Sequence, residues 1–214
     1  MLGDPTLNHP AKCCLAILSA AFAALALVGC ATSRLVTQQS NPDYVGKPFK
    51  SVMVVAVTSD ELVRRTFEDR IVALLGKRGV KGIPGYAAVG SRGRVQEADL
   101  RQAIARSTAE GVLLTRVTRV ERSSTNVPGG TVAVGVGWSG FYGYYSGVWQ
   151  TVSLPPERIS GPSWTVSETR LFDAKSGTLA WTGIVDTREN DRLDAALTQY
   201  IDVIVDAMVS DRVL

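Results

Sequence analysis

The chain has 214 residues, 45% of them hydrophobic and 20% charged, with a formal net charge of +3. That length holds one ordinary domain plus extras, and the composition is globular rather than disordered. The small charge excludes a nucleic-acid-binding patch as the organising feature: Arg64, Arg65, Arg70, Lys77, Arg78, Arg101 and Arg106 are interleaved with acids, the pattern expected of solvated helix faces.

In chain order, the first element is an uninterrupted apolar run, CCLAILSAAFAALALV at 13–28, preceded by Lys12. Sixteen residues is short for a spanning helix, which needs about 20, and suits the core of a signal peptide. The run leads into Leu27-Val28-Gly29-Cys30. This tetrad resembles the lipobox of bacterial lipoproteins. The resemblance implies a signal peptide over 1–29, cleavage between Gly29 and Cys30, and acylation (a palmitate-type modification) of Cys30. Several acyl chains then anchor the protein, at about 0.8 kcal/mol per buried methylene. Ala31 and Thr32 come next, with no aspartate at the second position; by the enterobacterial sorting pattern this implies the periplasmic side of the outer membrane. Cleavage removes Cys13, Cys14 and His9, the single histidine of the chain.

Residues 30–49 are polar, contain Pro42 and Pro48 and lack periodicity, which predicts a flexible tether to a domain over 50–214. Ser51–Val57, SVMVVAV, reads as a strand buried on both faces. Thr58-Ser59-Asp60-Glu61 has the form of a capping box and predicts a helix with Val63, Phe67, Ile71 and Leu74 inward. Lys77 and Arg78 suit its C-terminal end and Gly79 a left-handed C-cap. A short edge strand is expected over Val80–Tyr86, since Pro84 removes a ladder donor. A second helix is expected over about Gln96–Thr108 with Leu100, Ala103 and Ile104 buried, and then a strand from Gly111.

Trp164–Phe172 and Thr178–Thr187 read as two strands joined by a tight turn, with Gly177 at a position of positive φ. The last helix is expected to start near Asn190, with Leu193, Leu197, Ile201, Ile204 and Met208 as its apolar stripe and an acidic outer face. A βαβαβ order followed by a hairpin and a helix predicts an α/β protein: a compact two-layer α/β sandwich with a mixed sheet of about five or six strands and three helices.

Between the third strand and the hairpin lies a Gly/aromatic-rich insert at 128–162. Its stretch GVGWSGFYGYYSGVW contains G-x-G-x-x-G at Gly135, Gly137 and Gly140. A dinucleotide site needs a helix opening at the third glycine, but FYGYYSGVW after Gly140 is among the least helical segments of the chain, so no nucleotide is expected. A second reading is a β-hairpin in a membrane. Val132, Val134, Val136 and Trp138 alternate with small residues before a tyrosine-rich turn, as in barrel strands. The preferred reading is a contact surface of exposed aromatics, Trp138, Phe141, Tyr142, Tyr144, Tyr145 and Trp149, for an envelope protein or a peptidoglycan component. An equally weighted alternative folds the same aromatics back onto the sheet.

The mature chain has no histidine, which removes Ser-His-Asp and Cys-His catalysis and His- or Cys-based zinc sites. Asp60-Glu61 and Glu68-Asp69 are read as helix-start and polar-face carboxylates. A Ser-Lys dyad through Lys77, Lys81 or Lys175 stays open, with nothing pointing to one. No metal and no cofactor are expected. FEDxxVxxLxxRGV at 67–80, GVLxxRVxxVE at 111–121 and LFDxxSGxLxW at 171–181 resemble a family of uncharacterised bacterial envelope lipoproteins. More remotely, the plan is similar to the TolB N-terminal, curli-secretion lipoprotein and penicillin-binding-protein activator lipoprotein domains. The resemblance implies a non-catalytic, lipid-anchored interaction or assembly factor, with an oligomeric outer-membrane secretion or pore component, its hairpin at 131–154, as the alternative.

Overall fold

The computed structural model describes residues 33–89, 96–122, 140–141, 144–145, 163–188 and 193–214. The segments read as signal peptide and lipobox, and most of the insert, lie outside them. Among the described residues the elements run, in chain order, β1 (Ser33–Ser40), β2 (Ser51–Val57), α1 (Glu61–Lys77), β3 (Lys81–Pro84), α2 (Gly85–Val89), α3 (Glu97–Arg106), β4 (Gly111–Arg122), β5 (Ser163–Asp173), β6 (Leu179–Arg188) and α4 (Leu193–Ser210).

The six strands form one mixed sheet in the order β1-β6-β5-β4-β2-β3. β3, β2 and β4 are parallel, whereas β4, β5, β6 and β1 alternate antiparallel. The α/β sandwich with a mixed sheet is therefore as the sequence predicts. A crossover steps outward from β2 to β3, and the next steps back past β2 to β4. Right-handed connections running in opposite directions must lie on opposite faces, and the clusters agree. One face buries Phe67, Ile71 and Leu75 of α1 with Ile201, Ile204 and Met208 of α4 against Val54, Leu113 and Trp181. The other packs Leu100 and Ile104 of α3 against Met53, Leu114 and Phe172. α1 ends as expected: Gly79 has φ +80, its N–H bonds Gly76 O and that of Val80 bonds Leu75 O, a Schellman pair. Gly177 also takes positive φ.

Four local expectations change. Within the segment read as a tether, Ser33–Ser40 pairs antiparallel with β6. Its residues are mostly exposed, so no apolar alternation marked it. This is the polar edge strand a sheet tolerates because its ladder bonds, rather than its side chains, hold it. The cap of α1 is Asp60, which accepts from the N–H groups of Leu62 and Val63, while the Thr58 hydroxyl accepts from Asp60 N at 3.2 Å. The buried face of α1 is also rotated: Val63 is 48% exposed, whereas Arg64 and Glu68, read as solvated, are buried. Finally, β3 stops at Pro84 and a short fourth helix, α2, succeeds it.

Candidate functional site

β3 and β4 lie on opposite sides of β2, so the chain reverses its direction of sheet growth between β2 and β4. In open α/β sheets the crevice outside the carboxyl ends of the strands at such a switch point is where ligands bind. A cleft of about 250 Å³ opens beside the carboxyl end of β2, between the sheet and the helices α1 and α4. Its floor is the end of β2, Ala56 to Thr58, and the middle of β4, Thr115 to Val117, and its walls are Val63 and Phe67 of α1 and Ala196, Leu197 and Tyr200 of α4. Thr165, Ser167, Thr187 and Arg188 close the β5–β6 side.

The hydroxyls of Tyr200, Thr115 and Thr187 at this cleft are engaged with neighbouring hydroxyls. Tyr200 OH lies 2.5 Å from Thr169 Oγ1, which lies 2.9 Å from Thr115 Oγ1. Thr187 Oγ1 meets Ser33 Oγ at 3.0 Å. Burial is the main cause that pushes the Tyr200 phenol up to about 12, so it stays protonated at neutral pH. What the cleft offers a ligand is thus an apolar wall, with Arg188 exposed at the rim.

On the opposite face a charge cluster is buried in the antiparallel half. Glu168 is 1% exposed; it accepts from Arg116 Nε at 2.9 Å, from Arg170 Nε at 2.8 Å and from Tyr144 OH. The Arg170 guanidinium lies 4.1 Å from the centre of the Tyr144 ring. Burial pushes the Glu168 carboxyl up, but the Arg170 charge, the Tyr144 hydroxyl and the Arg116 charge outweigh it and hold the group below its ordinary value. The Tyr144 phenol is raised, chiefly by burial and then by Glu168. Both carboxylate oxygens are bound, so the cluster is a two-strand clamp that ties the insert to the sheet through Tyr144.

A second buried carboxylate, Glu68, links α1 to the end of β2 and the start of α2: Oε1 accepts from Ala56 N at 3.0 Å and Oε2 from Tyr86 N at 2.8 Å. Burial, the largest effect, pushes it up to about 6 against those amides and Arg64. Among the described residues, no group of three or more His, Cys, Asp or Glu side chains could hold a metal ion.

The aromatics expected as a contact surface divide. Phe141 and Tyr145 are 3% and 1% exposed, in the cluster with Phe172, and Phe141 N donates to Gly177 O at 2.8 Å. Tyr144 is half-buried over the charge cluster. These three fold back onto the sheet because its second face is otherwise left partly uncovered beside α3. Trp138, Tyr142 and Trp149 lie outside the described residues, as do Leu27, Val28, Gly29 and Cys30. Sequence reasoning missed the cleft and the Arg116–Glu168–Arg170 cluster. The available signal was Glu168 and Arg170 two apart in a strand, hence on one face, with Arg116 in the neighbouring strand.

No family model matches the chain, and no curated protein is significantly similar. Among solved structures, a PelC dodecamer from Paraburkholderia phytofirmans is 13% identical over 80% of this chain and 95% of that one, with a TM-score of 0.42. Lipoprotein GNA1162 from Neisseria meningitidis is 16% identical over 75% and 98%, with a TM-score of 0.37. The hypothetical protein CT253 from Chlamydia trachomatis is 11% identical over 76% and 96%, with a TM-score of 0.36. At this distance the likeness transfers no role and no partner.

Proposed function

We propose that this is a lipid-anchored envelope protein, acylated at Cys30 and facing the periplasm from the outer membrane, that works without catalysis as an interaction or assembly factor. The observation that carries the reading is the apolar run ending in Leu27-Val28-Gly29-Cys30. The non-catalytic part is supported by how the buried carboxylates are used. Glu68 holds two backbone amides and Glu168 two arginines and a tyrosine, which gives both buried carboxylates a structural role.

The test is the intact mass and the detergent-solubilised assembly size of the protein extracted from its native membrane, beside Cys30→Ala. The reading expects a mature chain beginning at Cys30 with the mass of its acyl groups, lost in the variant together with membrane attachment. An unlipidated wild-type chain refutes the anchor. A large closed ring would favour the pore alternative over an interaction factor.

A further inference from the structure

We infer that the cleft at the β2/β4 switch point takes an acyl chain of a phospholipid from the membrane the protein is anchored to; the inference rests on the lipid-anchored reading above. Position is the first argument. Ser33, the first residue of β1, is tied by its hydroxyl to two cleft-lining residues, Thr187 Oγ1 at 3.0 Å and Ala196 O at 3.4 Å. Only Ala31 and Thr32 separate Ser33 from Cys30. A fully extended chain spans at most about 3.3–3.6 Å per residue, so an anchor at Cys30 is within roughly 10 Å of Ser33, which touches the cleft wall. The side of the fold carrying the cleft must therefore lie at the bilayer surface.

Chemistry is the second. Four of the hydroxyls around the cleft bond to neighbouring hydroxyls or to backbone: Thr115 and Tyr200 through Thr169, Thr187 to Ser33, and Thr58 to Asp60 N. A sugar or peptide inserted there would bury polar groups against Val57, Val63, Phe67 and Leu197 with few partners left, which is unfavourable. An aliphatic chain loses nothing.

The rim matches the interface it would meet. Leu62 is 75% exposed, Val63 48% and Val117 39%, and the last two line the cleft with Arg188. An exposed apolar rim with a cation suits the boundary between acyl chains and phosphate headgroups. Phospholipid chains at that surface far outnumber the protein's own.

The experiment reconstitutes the native, lipidated protein in phosphatidylethanolamine–phosphatidylglycerol vesicles carrying a phospholipid with a diazirine on one acyl chain. After irradiation, cross-linked peptides are identified by mass spectrometry. The expected result is labelling of peptides holding Phe67, Leu197 and Tyr200, reduced several-fold by Ala196→Trp, which fills the cleft. Val63→Gln, at a half-exposed position that leaves the core intact, should reduce it as well, with unfolding curves showing both variants folded. Labelling confined to Leu62 and the rim, or labelling that neither folded variant reduces, would overturn the inference. So would labelling seen only when the diazirine is carried on the Cys30 acyl groups, which would make the occupant the protein's own lipid. A cleft that labels with nothing is filled by something else, such as part of the 123–139 segment, and also overturns it. The intact mass at Cys30 is read on the same sample, so failure of the anchor and failure of the cleft are told apart.

Discussion

Replacing Glu168 with glutamine should be among the most damaging conservative changes available in this protein. The substitution keeps the shape and removes a charge shared by Arg116 and Arg170, whose side chains are 8% and 4% exposed. Breaking a buried ion pair by removing one partner costs about 3–5 kcal/mol, because a charge is left uncompensated in a medium of low polarity. For a domain of this size, about 2–4 °C per kcal/mol turns that loss into a fall in Tm of about 6–20 °C. Urea unfolding followed by far-ultraviolet circular dichroism measures it, with Glu61→Gln as the control. The Glu61–Arg65 pair is exposed, so that control should lose no more than about 0.5 kcal/mol. The sign with pH comes from the lowered Glu168 carboxyl. Its contribution is present above the unfolded-state value and is lost as pH falls through the folded one, so wild type and variant should converge in acid. Arg116→Met, Glu168→Leu and Arg170→Met together remove all three of these charges and should recover most of the loss. Glu168→Gln and Glu61→Gln indistinguishable within about 1 kcal/mol would refute the argument, because no uncompensated buried charge would then be felt.

Three further outcomes are expected. Glu68 shows the opposite linkage: its folded-state value is raised to about 6, so its contribution is full below the unfolded value and is lost as pH rises through 6. The loss is about 2 kcal/mol at 1.36 kcal/mol per unit; unfolding of wild type against Glu68→Gln at acid and neutral pH should show the wild type alone carrying that slope. Asp60→Ala should destabilise by about 1 kcal/mol and Thr58→Ala by clearly less, since Asp60 caps α1; equal losses in denaturant curves would restore Thr58 as the cap. Arg212 holds φ 57 in the turn that closes α4, where Val213 N reaches Met208 O. Arg212→Gly should therefore stabilise by about 1 kcal/mol, and a lower Tm would show that the arginine side chain does more than tolerate the turn.

Strongly patterned elements were legible without the structure. SVMVVAV reads as a strand buried on both faces and is one, Gly79 and Gly177 take the positive φ their turns require, and Leu100, Ala103 and Ile104 are buried as their spacing implies. Where the reading failed, the side chain was not what decided. β1 is a strand because the edge of β6 supplies ladder partners, and SRLVTQQS has no apolar face to announce it. Glu68 and Arg64 looked solvated because charged residues usually are; Glu68 is buried because amides at the ends of β2 and α2 converge on it, groups 12 and 18 residues away in sequence.

The candidate sites divide along the same line. An apolar run followed by Leu27-Val28-Gly29-Cys30 is a pattern of consecutive residues, legible whatever the fold. The cleft depends on strand order: the same βαβαβ sequence could have placed β4 beyond β3, and only its return to the far side of β2 opens a crevice between them. The aromatic insert also needed the tertiary structure. Composition weighed surface and core evenly for Phe141 and Tyr145; the uncovered second face of the sheet, which their rings bury, decided for the core because apolar area removed from water is favourable wherever a surface exists to receive it.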